Sequence, residues 1–188
     1  MELPQTSTRA HDYGREQRLA DLARDLVDVA YLKGEFVLSS GMHSDYYFDK
    51  YLFETRPDVL RRVAEFLADL LPDDTDRIAG PELGAVPLAT ALALQTNLPF
   101  VIARKGSKGY STEKLVEGVI NPGEQIAVVE DVISTGAQAI SAAERVTATG
   151  AQVNGILAVI DRDQGGAEAI AAAGYSLTSL FTRGQLGI

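Results

Sequence analysis

The sequence contains no cysteine. That absence excludes a disulfide scaffold, cysteine-ligated zinc or iron, and thiol catalysis, and it is compatible with the cytoplasm without requiring it. No apolar run approaches the ~20 residues that a membrane span requires, and the N-terminus is polar rather than a charged leader ahead of an apolar stretch. A soluble, unprocessed cytoplasmic protein with no membrane association is therefore expected. Internal repeats, low-complexity tracts and linkers are also missing. Positive charge is scarce, because 17 Lys and Arg face 26 Asp and Glu, leaving a formal charge of -9. Nucleic-acid affinity comes mainly from counterions displaced by clustered Lys and Arg, so this balance argues against such a partner.

What is present suits one domain over residues 1–188, since 46% of them are hydrophobic and a chain of this length can bury a substantial core. Helical spacing places Leu19, Leu22, Ala23, Leu26, Val27 and Ala30 on one face of residues 18–30. A second helix follows Pro57, with Val59, Leu60, Val63, Leu67 and Leu70 inward and Pro72 closing it. Residues 36–52 read as extended and turn-rich. After Asp76 short apolar runs alternate with helical segments, the pattern of a parallel sheet with crossover helices. The predicted strands are 77–79, 100–103, 125–130 and 152–160 with an edge at 177–181, and the predicted helices are 85–95, 137–150 and 167–173. In such sheets ligands sit beyond the carboxyl ends of the strands, so the loops after Ala79, Ala103, Glu130 and Ile160 are expected to converge on one crevice.

The most informative string runs from Ile126 to Ala137. An apolar strand ends in two carboxylates, Glu130 and Asp131. Val132 and Ile133 follow, then a Ser134-Thr135-Gly136 turn that opens a helix. Backbone amides of such a turn and of the helix N-terminus favour a phosphate, with the two hydroxyls adding donors and Gly136 allowing close approach. Adjacent carboxylates suit a polyol, whose hydroxyls donate to them. Sugar phosphate is the ligand these features imply, while the plain alternative is that Asp131 and Ser134 only cap the helix. Arg104, Lys105, Lys108 and Lys114 form the one basic cluster, which serves either a local anionic ligand or a solvated loop.

The string resembles the phosphoribosyl pyrophosphate (PRPP) signature of the type I phosphoribosyltransferases. Four further stretches are similar to the orotate phosphoribosyltransferases within that family: Phe36 to Asp49, with its Ser39-Ser40-Gly41 turn and Tyr46-Tyr47-Phe48; Gly80 to Ala89; Arg104-Lys105 with Lys108 and Tyr110; and Val159-Ile160-Asp161-Arg162. The resemblance runs from about Lys33 to the Ser179-Thr182 segment. Many family members carry Lys where this chain has Ser39 and His where it has Tyr110.

The resemblance implies an α/β fold with a parallel sheet flanked by helices, a small N-terminal hood over about residues 1–52, a core over about 76–182 and a mobile catalytic loop. It assigns the ribose hydroxyls to Glu130 and Asp131, and the 5-phosphate to Val132, Ile133, Ser134, Thr135, Gly136, Ala137 and Gln138. The pyrophosphate loop would be Glu82, Leu83 and Gly84. Orotate would meet Arg162, Ser134, Tyr47 and Phe48, a planar guanidinium being suited to a planar anion. Arg104, Lys105, Lys108 and Asp131 form the expected catalytic set, with Tyr110 also at PRPP. Mg²⁺ would be held mainly by substrate and water, and a homodimer would share the catalytic loop between subunits. The expected reaction is transfer of phosphoribose from PRPP to orotate. Transfer to another base, and a PRPP-sensing regulator on the same fold, are the alternatives.

Overall fold

The computed structural model describes residues 7–37, 43–106 and 115–188. Helix α1 (Ser7–Ala30) begins earlier than its apolar spacing predicts. Its early turns are polar, and tertiary contacts hold them: Arg15 donates to Asp69, and the Arg15 and Arg18 guanidinium carbons lie 5.4 and 5.7 Å from the Phe66 ring centre. Leu22, Leu26 and Ala30 face inward as expected.

Strands β1 (Tyr31–Val37) and β2 (His43–Phe48) form an antiparallel pair, with Tyr31 opposite Phe48. The extended reading of 36–52 fails at its end, where α2 (Lys50–Glu54) forms. Asp49 caps that helix by accepting from the Tyr51 amide, and burial of Phe53 and Glu54 anchors it. In α3 (Pro57–Ala68) Pro57 occupies the first turn, where its missing N–H costs nothing, and Val59, Val63, Phe66 and Leu67 are buried. The helix ends at Ala68, four residues before Pro72, which has no N–H to give the Ala68 carbonyl and whose ring would crowd it.

The remaining elements are β3 (Arg77–Pro81), α4 (Ala85–Thr96), β4 (Phe100–Ala103), β5 (Val116–Glu117), β6 (Gln125–Ile133), α5 (Ala137–Thr147), β7 (Gln152–Asp161), α6 (Gly166–Ala172), β8 (Leu177–Thr182) and α7 (Arg183–Leu186). The sheet order is β5-β4-β3-β6-β7-β8, parallel throughout except for the antiparallel β4–β5 pair. β5 is too short to show in the sequence pattern.

β7 and β8 each run one residue past their predicted ends, and two other strands run on further. β3 continues to Pro81 because Gly80 and Pro81 pair with Ile102 and Ala103, and β6 continues to Ile133 because Val132 and Ile133 pair with Ile160 and Asp161. Conversely α5 stops at Thr147, and the chain turns at Gly150, whose φ of +90° suits glycine.

Both faces of the sheet are covered, which is why its strands read as continuous apolar runs. Val129, Leu157 and Val159 pack with α1, α3 and α4; Val128, Ile156 and Ala158 pack with Ala139, Ala142, Ala143 and Val146 of α5 and Ile170 of α6. After β3 the chain moves outward to β4, then returns to place β6 on the other side of β3. The carboxyl ends of β3 and β6 thus flank the point where strand order reverses, the place such sheets bind ligands. Among the described residues no helix is long and apolar enough to cross a membrane.

Candidate functional site

Glu130 and Asp131 sit where β6 reaches that crevice, 6% and 1% exposed. The turn after them delivers the chain into α5, whose N-cap is Gly136 at φ +78° with no side-chain cap. Neither Asp131 nor Ser134 caps the helix, so the plain structural reading of those residues fails. Two glycines allow the turn its shape. A Cβ on Gly136 would stand 2.9 Å from the Gly166 carbonyl oxygen, and a Cβ on Gly166 would overlap the Ile133 side chain and lie 2.6 Å from the Ser134 carbonyl oxygen. The resulting pocket is lined by Lys50, Glu130, Asp131 and the run from Val132 to Ala139. All the residues assigned to the 5-phosphate therefore surround one cavity, and amides at a helix N-terminus provide its anion-binding character.

Beneath the pocket Glu130 and Asp131 join a charge cluster whose other members, Lys50 and Glu54, no sequence motif indicates. Asp131 Oδ1 accepts from the Val132 amide at 2.5 Å, and Oδ2 accepts from Lys50 Nζ at 2.6 Å. Burial would lower the Lys50 pKa, but the charge and hydrogen bond of Asp131 outweigh it and raise it. Glu54, from the same short helix, is 2% exposed, and neither of its oxygens has a hydrogen-bond partner of good geometry among the described residues. Burial first, then the proximity and charge of Asp131, push its carboxyl up to about 9. Burial and the Asp131 charge likewise carry Glu130 to about 8. Three carboxyls are thus gathered with one ammonium, and two of them retain protons at neutral pH.

The other candidates fall on neighbouring walls. Gly84 is buried against the cluster, where any side chain would overlap Asp131 Oδ2, whereas Leu83 is 68% exposed; the Glu82–Leu83 peptide is cis. Glu82 Oε1 accepts from the Lys105 amide at 2.6 Å, tying the loop after β3 to the loop after β4. Arg104 lies 3.6 Å from Glu117, and Arg145 of α5 donates to the Lys105 carbonyl at 3.2 Å. Lys108 and Tyr110 lie outside the described residues, as do Ser39, Ser40, Gly41 and Lys114.

Arg162 and Phe48 line a small second recess together with Tyr46, Val132, Ile160, Arg183 and Ile188. Tyr47 does not line it; its ring packs on Phe36 at 5.6 Å, because alternate residues of β2 face opposite ways. Tyr46 takes the inner position, stacked on Tyr31 and facing Arg183, whose guanidinium carbon is 6.0 Å from its ring centre. Lys50, Glu54, Tyr46 and Arg183 are the residues that sequence reasoning missed. The only available signals were the Asp49 cap for α2 and the period of β2 for Tyr46. A larger apolar groove of about 580 Å³, between α1 and the β8–α7 segment, contains none of the candidates.

A strand-order reversal at which adjacent acids meet an uncapped, glycine-built turn is the plan of a type I phosphoribosyltransferase. Comparison with known proteins narrows this further, although no family model matches the chain. The chain is 42% identical over 153 residues to the orotate phosphoribosyltransferase of Methanocella arvoryzae and 46% identical over 153 residues to that of Halobacterium salinarum, each match covering 81% of this chain and 87% of the relative. The orotate phosphoribosyltransferase of Mycobacterium tuberculosis, in complex with Fe(III) dicitrate, superposes with a TM-score of 0.83 at 32% identity, covering 91% of this chain and 99% of that one. The same protein in complex with PRPP gives a TM-score of 0.76 at 30% identity, over 91% and 99%. The chain belongs to the orotate phosphoribosyltransferase family.

Proposed function

We propose that this protein transfers the phosphoribosyl group of PRPP to orotate, yielding orotidine 5'-monophosphate and pyrophosphate for pyrimidine synthesis. The observation that carries the reading is the single pocket in which Glu130, Asp131 and the Ser134–Gly136 turn come together. A M. tuberculosis relative solved with PRPP supports it. The reaction passes through a transition state with oxocarbenium character, so the protein's work is to position three fragments and receive the charge of the leaving group.

Glu130 and Asp131 accept hydrogen bonds from the ribose hydroxyls. Amides and hydroxyls from Val132 through Gln138 hold the 5-phosphate, and Glu82, Leu83 and Gly84 border the diphosphate. Arg104, Lys105 and Lys108, with Tyr110, neutralise charge on the departing diphosphate. Arg162 donates to orotate in its plane, beside Ser134, Phe48 and the backbone at Tyr47.

The donor set fits magnesium, because Glu130 and Asp131 place hard oxygen donors at the edge of the pocket that would take the donor substrate. Substrate oxygens and water would complete its shell, with Glu130 and Asp131 accepting from that water. When bound, the ion supplies added neutralisation of the diphosphate. One domain, a homodimer that shares the loop bearing Lys108, and a cytoplasmic location complete the proposal.

The test is incubation of the protein with PRPP and Mg²⁺ plus orotate, uracil, or each purine base in turn, with pyrophosphate release as readout. Release with orotate alone is expected. Release with another base would reassign the substrate, and release with none of them would leave a regulator that senses PRPP.

A further inference from the structure

Lys50 belongs to no motif, yet its ammonium stands inside the crevice. It donates to Asp131 Oδ2 at 2.6 Å, and its side chain is 32% exposed against 1% for Asp131. Its Nζ and Cε lie 2.8 and 3.1 Å from the point where a Cβ on Gly84 would stand. It also lines the same pocket as Glu130 and the turn before α5. The ammonium therefore touches both walls of the reversal point, the loop after β3 and the tip of β6. An ammonium has three donors, and among the described residues Asp131 is the one side chain that Nζ hydrogen-bonds. Nζ also lies 5.5 Å from the Tyr51 ring centre, and its remaining donors meet no other side-chain oxygen within hydrogen-bond distance among the described residues, which leaves them to a ligand arriving through the exposed third of the side chain.

We propose that Lys50 is a donor-binding residue, whose ammonium holds Asp131 in the empty crevice and turns its remaining N–H donors to the diphosphate oxygens when PRPP enters. The inference rests on reading the crevice as the PRPP site. Binding then needs no net loss of the buried ion pair. Asp131 keeps a positive neighbour while accepting from ribose, and the diphosphate gains a cation supplied by the hood side of the molecule rather than by the loop after β4. The arrangement also explains why Gly84 has no side chain: any Cβ would displace the atoms that bridge the two walls.

The experiment is calorimetric titration of magnesium pyrophosphate into wild type, Lys50→Met and Lys50→Arg, alongside steady-state kinetics for PRPP and orotate. Losing a charged hydrogen bond to an anion corresponds to roughly a thirtyfold change in affinity. Lys50→Met is expected to weaken pyrophosphate by about that factor and to raise the KM for PRPP similarly, with a smaller fall in kcat and little change in the KM for orotate. Lys50→Arg should recover part of the loss. A folded Lys50→Met that binds pyrophosphate within threefold of wild type overturns the inference.

Should Lys50→Met fail to fold because Asp131 is left buried without a cation, wild type decides the matter. The rate of Lys50 acylation by acetic anhydride, read by peptide mass spectrometry, should fall severalfold when magnesium pyrophosphate is present. An unchanged rate overturns the proposal. Wild type that binds neither pyrophosphate nor PRPP refutes the proposed function instead, which keeps the two failures distinct.

Discussion

Replacing Glu54 with Gln is expected to stabilise this protein, and by an amount that grows with pH. The Glu54 carboxyl is 2% exposed and keeps its proton up to about pH 9, against an ordinary value of 4.5. Its folded-state pKa is raised, so between those values the folded protein binds a proton that the unfolded chain does not, and stability falls as pH rises through that window. At pH 7 the cost of holding that proton is about 3 kcal/mol, from ~1.4 kcal/mol for each pH unit above 4.5. Glutamine has the same shape as the neutral acid, bears no such cost, and can donate to Asp131. Water entry and side-chain relaxation reduce the effect, so about 1 to 3 kcal/mol is expected at pH 7 and almost nothing near pH 4.5.

For a chain of this size, 2 kcal/mol corresponds to a rise in Tm of roughly 4 to 8 °C. The assay is thermal unfolding by circular dichroism at pH 5, 7 and 9, at one protein concentration so that any assembly equilibrium is held fixed. Glu130, raised to about 8, contributes the same trend to both proteins, so the difference between their curves isolates Glu54. A difference that is flat with pH, or that turns against the variant as pH rises, would show that Glu54 is ionised in the folded state and would refute the reasoning.

Other perturbations test other parts of the site. Gly84→Ala puts a methyl group where Asp131 Oδ2 stands and 2.8 Å from Lys50 Nζ, so kcat/KM for PRPP should fall about a hundredfold, as a displacement of about 1 Å commonly produces; activity within threefold of wild type would show that the loop after β3 yields freely. Arg162→Ala should raise the KM for orotate by about a hundredfold, as for loss of bonds from a charged donor, while calorimetry finds PRPP affinity little changed; Arg162→Lys should not rescue it, because a point charge cannot reproduce the planar fork. Away from the crevice, Arg77 donates to both oxygens of Glu124 at 2.8 Å, and that hydrogen bonding holds Glu124 down at about 2. A depressed acid contributes stability above its unfolded pKa and loses it as pH falls, so Arg77→Met should cost about 1 kcal/mol at pH 7 and progressively less from pH 4.5 toward pH 2, measured by urea unfolding.

The parts of this molecule that could be read in advance are those whose cause is local. The string from Ile126 to Ala137 carries its own strand, acids, turn and helix start, so both its structure and its pocket followed from neighbours in the chain. The sheet strands were legible because burial on two faces makes them uniformly apolar. Where the cause is distant the reading stopped. β3 and β6 ran on because of their partners, and α1 began early because Arg15 and Arg18 find Phe66, Asp69 and Glu65 across a helix pair. α2 spans five residues, too few to display a period, and the contact that makes it matter joins positions 81 apart. No spacing rule reaches that far.

A chain with a formal charge of -9 that binds a polyanion requires its charges to be sorted rather than averaged. Physiological salt screens surface acids over ~8 Å, and several of them are already paired with arginines such as Arg15, Arg18 and Arg56. What a ligand meets is set by the crevice itself. There Glu54 is neutral, Glu130 is mostly so at pH 7, and Asp131 is matched by Lys50, so three carboxyls impose little net negative charge. The field that remains is that of the amides opening α5 together with Lys105 of the β4 loop, whose charge reaches Glu130, while Arg104 is shared with Glu117. Acids that favour ribose hydroxyls can therefore share a site with groups that favour phosphates, because burial suppresses the charge that would set one function against the other.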